Sequence, residues 1–178
     1  ISKNDYKTSY KFLKKIDGLE DQHYRFSQYY QFSLIASEKF NEAFKYSQKL
    51  EKKEIDNFES NLFSGIYNLK NKNYKEAALN FNNLKKLSQP QTIQGFISKT
   101  LNAWVSFDSL NNVKEATKVF KDFPERFKYI TDIEHVFALC YFNSPKTSQV
   151  FVELTSNKKK NFVRYIFFHA NYLLSINN

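Results

Sequence analysis

Glycine and proline are scarce in this chain, with three of each among 178 residues. An all-β sandwich or barrel needs many more, because hairpin turns want Gly, Asn or Pro at special dihedrals. A dinucleotide- or phosphate-loop enzyme needs clustered glycines to bring backbone close to phosphate, and none cluster here. Cysteine occurs once, as Cys140, which excludes an intramolecular disulfide and any multi-cysteine metal site. It sits in the apolar run Val136 to Phe142, where a thiol reads as a small buried hydrophobe rather than a nucleophile. Arginine is nearly absent as well: Arg25, Arg126 and Arg164 are the only ones. The formal charge of +9 is therefore carried by lysine. Guanidinium forks dominate phosphate and base recognition, so no nucleic-acid partner is expected. Lysine with abundant Asn, Phe, Tyr and Ile is what codon bias in an AT-rich genome supplies.

Long apolar runs are missing too. The most apolar stretch, Phe162 to Ile176, is interrupted by Arg164 and His169. It is too short and too polar to cross a membrane and reads as a core helix. There is no Gly-x-Ser-x-Gly, no phosphate loop and no Asp-x-Asp pair. His23, His135 and His169 lack metal-ligand spacing. Glu134 and His135 are neighbours in sequence, and neighbours on a helix point about 100° apart, so they do not share a site. His169, among Phe167, Phe168 and Tyr172, reads as a packed core histidine. No catalytic residue, metal or cofactor is expected.

What the chain does have is a period. Tyr6, Phe40 and Tyr74 stand 34 residues apart, each followed three residues later by Ser9, Ala43 or Ala77. Leu13, Ser47 and Phe81, then Ile16, Leu50 and Leu84, continue the register. Aromatic, two polar, small, then apolar at every third or fourth position describes a helix burying one face. Val113-Lys114-Glu115-Ala116, with Phe120 and Phe123 behind it and Pro124 as a stop, is a fourth copy at an offset of 39 from Tyr74. The five extra residues are expected in a longer turn around Ser88 to Gln91, with Pro90 opening the next helix. An apolar-periodic run precedes each later copy: Tyr24 to Ala36, Phe58 to Leu69 and Ile93 to Leu110. Two helices per period make a helical hairpin. Asn71-Lys72-Asn73 and Asn111-Asn112 suit its turns, because Asn caps helices and tolerates left-handed dihedrals. Repeat helices are expected near 5–16, 24–50, 58–87, 93–123, 125–155 and 162–176, in a single domain over 1–178.

The stretch Phe63 to Phe81 resembles a tetratricopeptide repeat. Gly65 stands where that repeat carries a small residue in its first helix, and Tyr74, Ala77 and Phe81 match the aromatic, small and aromatic positions of the second. The repeat's tryptophan is replaced by Asn61, and by Ser27 and Thr100 in the flanking copies, where Gln31 and Trp104 take the glycine's place. The resemblance covers roughly residues 5–123. It implies an all-α, right-handed superhelix (a solenoid) of antiparallel helix hairpins, without catalysis. It also implies a protein–protein interaction scaffold that binds a peptide or partner helix on its concave face. The groove positions so implied are Gln28, Phe32 and Ile35, then Leu62, Ile66 and Leu69, then Leu101, Val105 and Asp108. The Lys/Asn set that clamps a terminal carboxylate in some members is missing from them. The alternative is a helical-repeat module that binds RNA or another anionic surface through Lys-rich faces, of which Lys158-Lys159-Lys160 is the densest. The whole chain is also similar to repeat proteins of AT-rich alphaproteobacteria, which leaves cytoplasm and bacterial periplasm both open.

Tyr6 to Ile16 reads as a second helix lacking its partner, and Asn177-Asn178 resembles the turn after a first helix. Terminal repeats normally cap a solenoid, so the full-length protein is expected to continue at one or both ends. A native gene product beginning at Ile1 and stopping at Asn178 would contradict this.

Overall fold

The computed structural model describes residues 5–16, 18–107, 112–156 and 162–176. Among the described residues there are ten α-helices, short 3-10 turns and no strand. The chain divides into two compact units, residues 1–105 and 106–178.

The first unit is built from α1 (Tyr6–Lys15), α2 (Tyr24–Ala36), α3 (Phe40–Lys52), α4 (Phe58–Lys70), α5 (Tyr74–Leu87) and α6 (Ile93–Ser106). The 34-residue period reappears in the helix starts, Tyr24 to Phe58 and Phe40 to Tyr74. Successive helices from α1 to α5 pack on one another, and α2 also touches α4. Asp5 and Asn57 cap α1 and α4, accepting from the amides of Thr8 and Ser60. The turns share one device. Glu38, Glu54 and Lys72 take left-handed φ of 59°, 57° and 63°. The amides that follow close onto carbonyls five residues back: Lys39 to Leu34, Ile55 to Leu50 and Asn73 to Asn68, at 2.8–3.0 Å. This is the Schellman closure of a helix end, made here without glycine.

Two expectations about the interval before α7 (Val113–Lys118) need correcting. The starts of α2 and α3, and of α4 and α5, are 16 residues apart, whereas those of α6 and α7 are 20 apart. The interval across Ser88 to Gln91 grows by a single residue, from 18 (Phe40 to Phe58) to 19 (Tyr74 to Ile93). Nearly all the extra length therefore follows the start of α6. Pro90 does not open that helix. It lies in a turn, and Thr92 makes the cap, its Oγ1 accepting from the Gly95 amide at 3.1 Å. Gly95 is needed because any Cβ there would collide with the backbone of Gln89 and Pro90.

Packing within the two hairpins turns on a pair of equivalent positions. In α4–α5, a Cβ on Gly65 would fall inside the ring of Phe81, which is fully buried. The ring occupies the space that glycine leaves. In α2–α3 the sizes are exchanged: Gln31 replaces the glycine and Ser47 replaces the ring. Gln31 is 1% exposed and its Nε2 donates to the Ala43 carbonyl at 3.3 Å. Ser47 Oγ donates to the same carbonyl at 3.2 Å, so a polar link stands where α4 and α5 have a ring over glycine. Leu34, Ala43, Tyr46 and Leu50 form one core cluster, and Ala77, Phe81 and Leu84 a second. Tyr30 ties rings together within the first, edge-on to Tyr46 at 4.7 Å and stacked on Phe26 at 5.8 Å. Glu20, from the segment between α1 and α2, is buried with Lys49 at 2.6 Å and Lys53 at 3.7 Å, which fixes that segment to the end of α3.

The second unit holds α7, 3-10 turns at Val119–Asp122 and Glu125–Phe127, then α8 (Lys128–Tyr141), α9 (Thr147–Ser156) and α10 (Val163–Ile176). The helix expected through Phe123 thus gives way to 3-10 geometry after Lys118, and α9 begins two residues beyond Pro145. Ile133, Val136, Phe151 and Tyr165 form its core, flanked by Phe137, Cys140, Phe168 and Tyr172. Burial raises the pKa of the Cys140 thiol, in keeping with an inert hydrophobe. His169 stacks on Phe151 at 5.0 Å and 3°, its Nδ1 3.4 Å from the Thr155 hydroxyl. The opposite side of α10 carries Val163, Ile166, Phe167, Leu173 and Leu174, all exposed.

Two predictions follow from packing. Replacing a mid-helix Gly by Ala ordinarily gains about 1 kcal/mol, but overpacking costs roughly 1–3 kcal/mol. Gly65→Ala is therefore expected to destabilise in urea unfolding, as is Phe81→Ser. The pair Gly65→Gln with Phe81→Ser, which copies α2–α3, should lose less than its singles combined. Additive losses would refute the size exchange. In the second unit, the buried Tyr165 hydroxyl has no hydrogen-bond partner among the described residues. Burial first, then the Asp132 carboxylate and Tyr129, push it up to about 12 from its usual 10. The folded value lies above the unfolded one, so its contribution is complete below pH 10 and fades as pH rises toward 12. Tyr165→Phe should be neutral or stabilising at pH 7 and lose less stability than wild type between pH 10 and 12. Identical alkaline limbs in thermal melts would exclude this.

Candidate functional site

The nine positions implied by the repeat resemblance do not behave alike. Gln28 is half-buried and its Nε2 donates to Glu59 Oε1 at 3.0 Å, joining α2 to α4. Ile35 packs on the Leu34–Tyr46–Leu50 cluster. Leu62, Leu101 and Val105 pack on Ala77, Phe81 and Leu84. These four apolar side chains hold helices together. Phe32, Ile66 and Leu69 are the ones that face outward, at 51%, 48% and 37% exposure. Phe32 is partly shielded by Tyr6, whose ring meets it edge-on at 5.2 Å. Asp108 and the Lys158 to Lys160 run lie outside the described residues. The difference between Leu62 and Ile66 is one helical turn. Toward its N-terminal end α4 is covered by neighbouring helices, whereas its C-terminal half runs clear of them on this face.

Beside Ile66 a cleft of about 380 Å³ opens between the first turn of α3 and the second half of α4. Phe40, Phe63, Ile66 and Tyr67 supply its apolar walls, and Glu38 and Lys70 place opposite charges at its edge. Its aromatic wall is rigid. Tyr67 stacks on Phe44 with centroids 4.3 Å apart and planes 15° off parallel, and its hydroxyl donates to Asn41 Oδ1 at 2.6 Å. Phe40 stays 43% exposed at the mouth. Of these residues only Ile66 stood among the expected groove positions. Phe40 carried a signal as the first residue of the repeated phrase. Phe63 and Tyr67 carried none, since an aromatic at helical spacing reads equally well as core.

Among the described residues, no group of three His, Cys, Asp or Glu could hold a metal ion, and no helix is long and apolar enough to cross a membrane. No protein-family model, curated protein or solved structure matches the chain.

Proposed function

We propose that the first unit is a protein–protein interaction scaffold and that the cleft at Phe40, Phe63, Ile66 and Tyr67 anchors an apolar side chain of a partner helix or extended peptide. The observation that carries this reading is the exposed Ile66 beside a rigid, preformed aromatic wall. A wall fixed by stacking and a hydrogen bond loses little entropy on binding. A pocket of this size takes one or two apolar anchors, with edge charges setting their orientation. Phe32 and Leu69 extend the apolar surface along α2 and α4, the helices a tetratricopeptide-like stack uses for recognition. Three features support reading the hairpins of this unit as such repeats in a right-handed superhelix. They are the 34-residue spacing of helix starts, the contact between α2 and α4, and the Phe81 ring seated over Gly65 in the α4–α5 hairpin. The reading assigns no chemistry to the chain.

The test is affinity capture with wild type, Ile66→Asp and Phe40→Asp, each checked for helicity by circular dichroism. Both sites are exposed, so both variants should fold, and each is expected to lose at least about tenfold of the captured partner, as removal of an interface anchor does. Leu62→Asp is unsuitable, because it would place a charge against the Phe81 cluster. Folded variants that keep every partner would refute the cleft. Release of those partners by added salt would instead place binding on the lysine faces.

A further inference from the structure

Apolar residues run around most of the circumference of α10, and a helix of that kind is ordinarily buried on all sides. In a single chain it is buried on one. Tyr165, Phe168 and Tyr172 turn toward the core of Ile133, Val136 and Phe151, and His169 stacks on Phe151. On the opposite side Val163 is 83% exposed, Phe167 62% and Leu174 67%, with Ile166 and Leu173 exposed beside them. Ala170 is exposed in their midst. At 100° per residue these six fall on one stripe about 120° wide. Arg164, Asn171 and Ser175, also exposed, fall together on its flank, so the stripe itself carries no charge.

Two properties of this stripe say what covers it. The first is area. Its side chains present several hundred Å² of apolar surface, as much as the largest patch a monomer ordinarily leaves uncovered. That is a large part of the roughly 800 Å² each partner gives to a standard interface. The second is symmetry. Ile166 and Phe167 stand four and three residues before Ala170, and Leu173 and Leu174 three and four after it. Turning the helix end over end about Ala170 therefore exchanges one large apolar residue for another at every position. An isologous interface requires this, because a two-fold axis brings a patch against itself. The absence of charge has the same sense. Copies of a chain of net +9 repel one another, and a stripe free of lysine is where two can approach.

We propose that α10 pairs antiparallel with α10 of a second copy of this chain, about a two-fold axis passing at Ala170. Ile166 of one copy then meets Leu174 of the other, and Phe167 meets Leu173. The short side chain of Ala170 at the centre lets the helix axes close to about 8–10 Å. Association buries the second apolar side of α10 as the core already buries the first. The pairing involves the second unit and is independent of the apolar cleft on α4.

The test is sedimentation equilibrium of the full chain across micromolar concentrations. Wild type is expected to sediment as a dimer. Phe167→Glu and Leu174→Glu, each checked for helicity by circular dichroism, should weaken the dimer by about tenfold or more, while Ile66→Asp should leave it intact. Oxidation supplies a second measurement that adds no charge and so decides the matter even where a glutamate variant does not fold. Ala170→Cys should give a disulfide-linked dimer, since its Cβ atoms face each other across the axis. Asn171→Cys on the flank, and wild type with half-buried Cys140 alone, should not. A wild type that stays monomeric, its stripe covered by some other element or partner, would overturn the proposal. So would a dimer untouched by either glutamate in a folded variant, or crosslinking no better at Ala170 than at Asn171.

Discussion

The ring of Phe81 in the space left by Gly65 sets how deeply α5 settles into α4, and much of the first unit is arranged around that depth. Interiors are packed at near-crystalline density, so a helix crossing is fixed by the few atoms that meet at its closest point. Leu62, Leu101 and Val105 then close around the same ring and its neighbours Ala77 and Leu84. In the α2–α3 hairpin Gln31 and Ser47 stand at the matching positions, and the two helices meet less extensively than α4 and α5 do. What recurs at 34 residues is thus the spacing of helix starts rather than the residues at the crossing. This is why the repeat is plain in its spacing and blurred in its letters.

That blurring marks where the sequence could be read and where it could not. Helix starts at Phe40 and Tyr74 were legible because aromatic-to-small spacing reports directly on a buried helix face, and those at Tyr24 and Phe58 because an apolar-periodic run begins at each. Pro90 was misleading. Proline is compatible with a first helical turn, but it is equally compatible with a preceding turn, and the close approach of Gly95 to the Gln89–Pro90 backbone decided between them. The groove positions were legible only in part. A helix in a stack touches neighbours on more than one side, so an apolar residue off the main buried stripe can be surface or secondary contact. Ile66 and Leu62 lie on one face, and only neighbouring helices distinguish them. A polar cleft of about 310 Å³ at Ser60, Asn61 and Ser64, on the other side of α4, was invisible for a further reason. These residues read in sequence as weak repeat positions, and a void needs coordinates on all its sides.

The two faces of α4 divide the surface chemistry of the unit. One presents isoleucine and stacked aromatics between charges of opposite sign, and the other presents Ser60, Asn61 and Ser64 beside carboxylates from the end of α3 and the link after it.

The interior of the first unit carries many polar side chains. Ser27, Gln31, Ser33, Ser47, Asn57, Ser60, Ser64, Asn68, Ser98 and Thr100 are all buried in the first unit. Hydration of apolar groups raises the heat capacity of an unfolded chain, while hydration of polar groups lowers it. Melting this unit exposes a mixture in which the two oppose each other, each buried polar group offsetting part of what its apolar neighbours add to the heat capacity.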